Sequence, residues 1–272
     1  MDTPLADAYD ALLFDLDGVL YRGSEAVPEA IATLEYLRDS GTRLAFVTNN
    51  SARTPEAVAA RLVAMGIEAR SDEVETSALT TADVLEARGV RRAFVVGEEG
   101  ITQALAAKGI AVAGPDPEAV DVVVVGWDRG ADYAKLKTAS LLVERGAALM
   151  ATNPDASFPS SDGDWPGAGA LLAAIETTTG VRAEVVGKPH PPLLLAALDR
   201  AGGGRPLVIG DRLDTDIAGA DRLGWDSLLV FSGVTRAEDL MDAPVAPTFV
   251  GETVAALLRA PDRPPARGRM LT

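Results

Sequence analysis

The 272-residue chain has no cysteine and a single histidine, His190. Without cysteine there is no disulfide, no thiol nucleophile and no thiolate-held zinc or iron–sulfur centre. A Ser-His-Asp triad or a multi-histidine metal site would have to rest on His190 alone. That residue stands among prolines in Pro189-His190-Pro191-Pro192, which suits a structural or exposed position. Aromatic residues are scarce at 5%, and basic residues are outnumbered, 25 Lys+Arg against 40 Asp+Glu, for a formal net charge of −15. Such a charge favours solubility and opposes nucleic-acid backbones and anionic membranes as partners. No apolar run approaches the ~20 residues a bilayer span requires, and residues 1–9 lack the basic start of a secretory signal. The expectation is a cytoplasmic protein that binds neither nucleic acid nor membrane. Metals that accept oxygen ligands, chiefly magnesium and calcium, are the ones such a chain holds easily.

What is present is an alternation of short apolar runs with helical patterns, in a chain that is 47% hydrophobic. Leu12-Leu13-Phe14 reads as a buried strand that empties into Asp15-Leu16-Asp17-Gly18. Residues 21–27 read as a loop. Pro28 opens a helical pattern with Ile31, Leu34 and Leu37 on one face, stopped by Gly41. Leu44–Val47 is a second strand, running into Thr48-Asn49-Asn50-Ser51. Thr54 then caps a helix with Pro55 at its first position, a stripe of Val58, Leu62 and Met65, and Gly66 at its end. Strand-helix alternation with polar strand ends predicts an α/β, doubly wound parallel sheet.

From about Thr76 a second series begins. Helices are predicted near 77–88, 99–108 and 131–145, and strands at Ala93–Val96, Val122–Val125 and Ala148–Ala151, the valine run being buried on both faces. Asn153–Gly169 reads as a long loop of the kind that is functional or mobile, and Gly167–Thr179 as a helix closed by Gly180. The opening pattern then returns: Gly187-Lys188-Pro189 precedes a helix over Leu193–Arg200, and Leu207-Val208-Ile209 runs into Gly210-Asp211. A helix over Asp214–Leu223 and a strand over Leu228–Phe231 follow. These runs predict a discontinuous core, residues 1–76 and 183–260, interrupted by an inserted α/β unit over 77–182. Residues 261–272 are too poor in apolar side chains to pack and are expected to be disordered.

Parallel strands bring their C-terminal ends to one sheet edge, which would gather Asp15, Asp17, Thr48, Asn49, Asp211, Asp214 and Asp216, with Lys188 arriving from a loop. Two carboxylates ~4 Å apart repel by ~4 kcal/mol at an effective dielectric of about 20. Three or more acids need a cation that one lysine cannot replace, and magnesium, with its preference for carboxylate, carbonyl, water and phosphate oxygens, fits. The Thr48 hydroxyl, the N–H groups of the Asn49-Asn50 turn and the Lys188 ammonium suit a phosphate. Taken singly, each piece has a plainer reading: surface turn acids, helix caps (Asp214 as an N-cap in particular) and a solvated lysine. All those readings would have to hold together, in order, at strand ends.

In the motifs Asp15-Leu16-Asp17-Gly18, Thr48-Asn49-Asn50, Gly187-Lys188-Pro189 and Gly210-Asp211-Arg212-Leu213-Asp214-Thr215-Asp216-Ile217, the chain resembles the haloacid-dehalogenase-like phosphohydrolases. The last motif and the insert's position look like subfamily IIA, which includes nitrophenylphosphatase-like, phosphoglycolate, glycerol-3-phosphate and pyridoxal-phosphate phosphatases. The resemblance implies a Rossmann-like core with an α/β cap. It implies that Asp15 is a nucleophile forming an aspartyl-phosphate, and that Asp17 protonates the leaving alcohol and then activates water. Magnesium would be held by Asp15, the Asp17 backbone carbonyl and Asp211, with Asp216 behind them through water or Lys188. Thr48, Asn49, Asn50 and Lys188 would hold the phosphoryl group. An acid at position 17 suits an alcohol leaving group and hence a phosphomonoesterase. Pyridoxal-phosphate members carry a histidine after a Thr-Asn-x-Asp; alignment of Thr152-Asn153-Pro154-Asp155 puts Phe158 there, which argues against that substrate. Phe158 and Trp165 are left to form a lid or to pack the cap. The expected partner is a small phosphorylated metabolite, glycerol 3-phosphate first, and a homodimer is compatible with this reading. A non-catalytic phosphate-metabolite binding protein and a phosphomutase are the competing readings; a binder needs no proton donor, and a mutase would return its phosphoryl group to a sugar.

Overall fold

The structure, a computed structural model, describes residues 3–160 and 163–262. The tail expected from Pro261 falls outside these residues from 263 on, while Asp262 accepts a hydrogen bond from the Val250 N–H at 2.9 Å.

The first strand, β1 (Ala11–Phe14), is wholly buried and is followed by a two-residue-armed hairpin, β2 (Tyr21–Arg22) and β3 (Glu25–Ala26), where a loop was expected. Helix α1 (Ala30–Asp39) starts two residues after Pro28, because Glu29 takes a left-handed conformation (φ 67°) and turns the chain first. Its core face is Ala30, Thr33, Leu34 and Leu37. Strand β4 (Arg43–Thr48) leads to α2 (Pro55–Ala64), where the Thr54 hydroxyl accepts from the Ala57 N–H as a capping residue should. The chain continues through β5 (Val74–Thr76), α3 (Ser77–Ala87), β6 (Arg92–Val96), α4 (Glu99–Ala107), β7 (Ala111–Val112), β8 (Val122–Val125), α5 (Tyr133–Glu144) and β9 (Ala148–Ala151). The long polar stretch then folds into an antiparallel pair, β10 (Ser157–Ser160) and β11 (Gly163–Pro166), before α6 (Ala168–Thr179), β12 (Glu184–Val185) and α7 (Pro191–Arg200). Strand β13 (Pro206–Gly210), a π-helical turn at Leu213–Ile217, α8 (Ala218–Leu223), β14 (Asp226–Val230) and β15 (Phe249–Gly251) complete it.

Two compact units divide this chain. One contains the residues up to Val47, Ala59–Val74 and those from Leu194 on; the other contains Thr48–Val58 and Glu75–Leu193. Thr48–Val58 falls with the second unit through bonds such as Gly100 N–H to Ala52 C=O (3.1 Å) and the Ser51–Thr152 hydroxyl pair (3.0 Å), which residue patterning does not register. The first unit is built on a six-stranded sheet of order β15-β14-β13-β1-β4-β5, and the second on a five-stranded sheet of order β12-β9-β8-β6-β7. The strand pairs with assigned registers in both sheets are parallel. The second unit has two buried apolar layers, one around Leu85, Ile101 and Leu105, the other around Val123, Leu142 and Ile175. Alternate valines of β8 point into each, as a strand covered on both faces requires. No helix among the described residues is long and apolar enough to cross a membrane.

Candidate active site

In the first unit, β1 lies between β13 and β4, with Phe14 opposite both Ile209 and Phe46. Parallel neighbours leave the sheet at one edge, so the residues that follow β1 and β13 emerge together. The Asp15 N–H continues the ladder to the Ile209 carbonyl (2.8 Å) and brings its half-buried carboxylate beside buried Asp211. Asp216 comes from the π turn. Both Asp216 and Ile217 N–H groups bond to the Arg212 carbonyl (3.2 Å each), and the wide turn folds the Asp216 carboxylate back onto the Arg212 N–H (3.2 Å). One carboxylate oxygen from each of Asp15, Asp211 and Asp216 lies within 4.8 Å of the others. Three carboxylates so close in a partly buried setting fit a hard divalent cation and all-oxygen coordination.

Backbone geometry fixes Asp211 in particular. Its Oδ2 accepts from the Val234 N–H (2.7 Å) and its carbonyl from the Thr235 N–H (3.1 Å). Gly18, at φ +80°, passes so close that a Cβ there would sit 2.7 Å from the Asp211 Cγ and 2.9 Å from the Gly233 Cα. Glycine is needed on both counts, conformation and space.

Asp17 is half-buried, and its Oδ2 accepts from the Tyr21 hydroxyl at 2.9 Å. Burial pushes the Tyr21 phenol far above its ordinary range; the nearby Asp17 charge adds to this, and the Arg61 guanidinium, 4.6 Å from the ring centroid, opposes it. Tyr21 therefore remains a donor at any working pH and holds the Asp17 carboxylate in one orientation. Asp214, expected as a helix N-cap, instead lies exposed in a two-point pair with Arg212 (2.8 and 3.1 Å), because the π turn begins one residue after Arg212 and leaves it outside the capping position.

In the second unit, the buried Thr48 hydroxyl accepts from the Asn50 N–H (3.1 Å), and Lys188 is 2% exposed. The Asn49 amide spans the Lys188 backbone, accepting its N–H at Oδ1 (2.8 Å) and donating from Nδ2 to its carbonyl (3.0 Å). The Asn50 side chain turns back to accept from the Ala52 N–H (3.0 Å). His190 donates its backbone N–H to the Gly187 carbonyl (2.9 Å). Phe158 stacks on Trp127, ring centroids 4.4 Å apart, while Trp165 faces it across the β10–β11 pair and is 38% exposed.

Of the residues named from the sequence, Asp15, Asp211 and Asp216 each bring one carboxylate oxygen into a single group. Tyr21 and Val234 escaped the sequence reading, as did the contact of Asp155 with Asn49. Tyr21 lies four residues after Asp17, a spacing that offered a hint. Val234 acts through its backbone and Asp155 meets Asn49 across 106 residues, so neither had a local signal.

Comparison with known proteins gives a consistent picture. The family model for haloacid dehalogenase-like hydrolases matches residues 12–111, and a HAD-hydrolase-like model matches residues 185–257. An acid sugar phosphatase from Staphylococcus saprophyticus is 40% identical over 244 residues, covering 89% of this chain and 93% of its own. The glycerol phosphate phosphatase of Mycobacterium tuberculosis in complex with calcium superposes with a TM-score of 0.90 at 36% identity, covering 94% of this chain and 76% of the other. Its magnesium complex gives the same TM-score at 35% identity, covering 95% and 79%. The 4-nitrophenylphosphatase of Thermotoga maritima gives 0.87 at 33% identity, covering 93% and 98%.

Proposed function

Because this chain belongs to the haloacid dehalogenase-like hydrolases and is a phosphatase of that family, we propose that it hydrolyses small polyol and sugar phosphate monoesters in a magnesium-dependent reaction through an aspartyl-phosphate on Asp15. The observation that carries this reading is the group of Asp15, Asp211 and Asp216 at the edge where β1 and β13 end.

In the first step an Asp15 carboxylate oxygen attacks phosphorus as the ester P–O bond breaks. The departing alkoxide takes its proton from Asp17 and leaves as the alcohol. In the second step water attacks the phosphorus of the aspartyl-phosphate, Asp17 removes its proton, and inorganic phosphate leaves with Asp15 restored. The Tyr21 hydroxyl holds the Asp17 carboxylate for both transfers. The Thr48 hydroxyl, which accepts from the Asn50 N–H and keeps its own proton to donate, the Asn49 N–H and Lys188 bind the phosphoryl oxygens, where Lys188 offsets charge in the transition state. Magnesium, held by Asp15, the Asp17 carbonyl, Asp211 and Asp216, would supply the charge that lets an anionic phosphate approach an anionic nucleophile.

Glycerol 3-phosphate is the first substrate proposed. The similar acid sugar phosphatase and glycerol phosphate phosphatase point to compounds that share a hydroxylated carbon chain and a terminal phosphate. Phosphate release from a panel of glycerol 3-phosphate, sugar phosphates, phosphoglycolate and pyridoxal phosphate, with and without magnesium, tests both points. Magnesium-dependent release with kcat/KM highest for glycerol 3-phosphate is the expected result. Equal rates in excess chelator would overturn the metal requirement, and a ranking led by pyridoxal phosphate would overturn the substrate class.

A further inference from the structure

We infer that Asn49 is a positioning residue that acts through Lys188: its side chain sets the Lys188 backbone from which the ammonium reaches the phosphoryl group. This rests on the role proposed above for Lys188. The sequence pattern offered Asn49 as a phosphate ligand, yet its amide is occupied elsewhere. Oδ1 takes the Lys188 N–H at 2.8 Å and Nδ2 gives to the Lys188 carbonyl at 3.0 Å, so both backbone polar groups of a residue that is 2% exposed are satisfied by one side chain. The pattern is that of a strand ladder, supplied by a side chain 139 residues away.

Two further contacts fix the amide. Nδ2 also lies 3.2 and 3.4 Å from the Asp155 carboxylate oxygens, so the carboxylate and the carbonyl together define which end of the amide is nitrogen. The Asn49 carbonyl accepts from the Ser77 hydroxyl and from Asn153 Nδ2, both at 2.7 Å. That carbonyl belongs to the same peptide plane as the Asn50 N–H, which it directs away from itself and toward the Thr48 hydroxyl. One residue thus ties the Lys188 backbone to the Thr48 turn within a single compact unit. An ammonium at the end of four methylenes is placed only as well as its backbone, and a displacement on the order of 1 Å costs about a hundredfold in rate.

A double-mutant cycle reads the coupling. Asn49→Ala should lower kcat on the best panel substrate by 30- to 100-fold and weaken inorganic phosphate binding, measured by calorimetry in magnesium buffer, by roughly tenfold. In a Lys188→Ala background the same change should alter either quantity less than threefold, since the group it positions is gone. Asp155→Ala, which leaves the Lys188 backbone bonds intact, should lower kcat five- to tenfold and likewise lose its effect in that background; it serves if Asn49→Ala does not fold. Full losses that multiply with that of Lys188→Ala would refute the inference and mark Asn49 as an independent ligand. Phosphate affinity and kcat unchanged in Lys188→Ala itself would remove the role of Lys188, and the inference with it, while the phosphatase activity would stand on the wild-type rates.

Discussion

Gly18→Ala probes the carboxylate group without touching a carboxylate. The backbone there holds φ +80°, a conformation that costs an alanine about 1–2 kcal/mol. The added methyl would also lie 2.7 Å from the Asp211 Cγ, about 0.7 Å short of the 3.4 Å at which ordinary contact begins. Gly233 backs the same space, so the Asp211 carboxylate or the Gly18 turn has to move by several tenths of an ångström, adding roughly 1–3 kcal/mol of overpacking. Together these predict a loss of about 2–5 kcal/mol in denaturant unfolding. They also predict a clear fall in kcat and a rise in the magnesium concentration for half-maximal activity, since Asp211 and Gly18 flank one another. Gly41→Ala is the control, with φ +76° and nothing within 4 Å of its Cβ: it should cost about 1 kcal/mol and leave kinetics unchanged. If Gly18→Ala matched Gly41→Ala in kinetics, with the same magnesium dependence as wild type, the reasoning that Asp211 is fixed by this close approach would be wrong.

Other substitutions test separate parts of the account. Glu73 and Arg38 form a nearly buried two-point pair at 2.7 Å, and Arg70 donates its N–H to Glu73 at 2.9 Å. Burial alone would raise the Glu73 carboxyl, but the Arg38 and Arg70 contacts outweigh it and hold it below the ordinary range. A depressed carboxyl stabilises the fold above its unfolded value of about 4.3 and stops doing so as pH falls through the folded one. Glu73→Gln should therefore cost about 2–3 kcal/mol at pH 7, and the gap to wild type should close as the pH is lowered below about 4, followed by urea unfolding. Phe158→Ala removes the ring stacked on Trp127 and should cost about 1–2 kcal/mol while shifting tryptophan emission; unchanged emission would contradict the stacked geometry.

The fold was legible where a strand is an apolar run and a helix carries its own caps. Leu12–Phe14, Leu44–Val47 and Val122–Val125 announced β1, β4 and β8, and Thr54-Pro55 announced the start of α2. Strands of two or three residues, such as β5, β7, β12 and β15, are too short to show a period, so only their partners define them. The π turn at Leu213–Ile217 was hidden inside a pattern that reads as helix, because one extra residue in a turn has no signature in side-chain type. The β10–β11 pair was masked by the Pro, Gly, Asp and Ser content that reads as loop. Within the candidate site, Asp15, Asp17, Asp211 and Asp216 were named from strand ends and motif spacing. What the Asn49 amide does was not, since its partners lie 106 and 139 residues away and two of its bonds go to backbone.

The central claim is covalent: the phosphoryl group passes through Asp15. Rapid mixing of enzyme with glycerol 3-phosphate and magnesium, acid quenching, and mass spectrometry of the peptides tests it most directly. A phosphoryl group on the peptide carrying Asp15, removable by hydroxylamine as an acyl phosphate is, and absent in an inactive Asp15→Asn protein, is the result the account predicts. Turnover that persists in Asp15→Asn, or a phosphoryl group found on His190 instead, would contradict it.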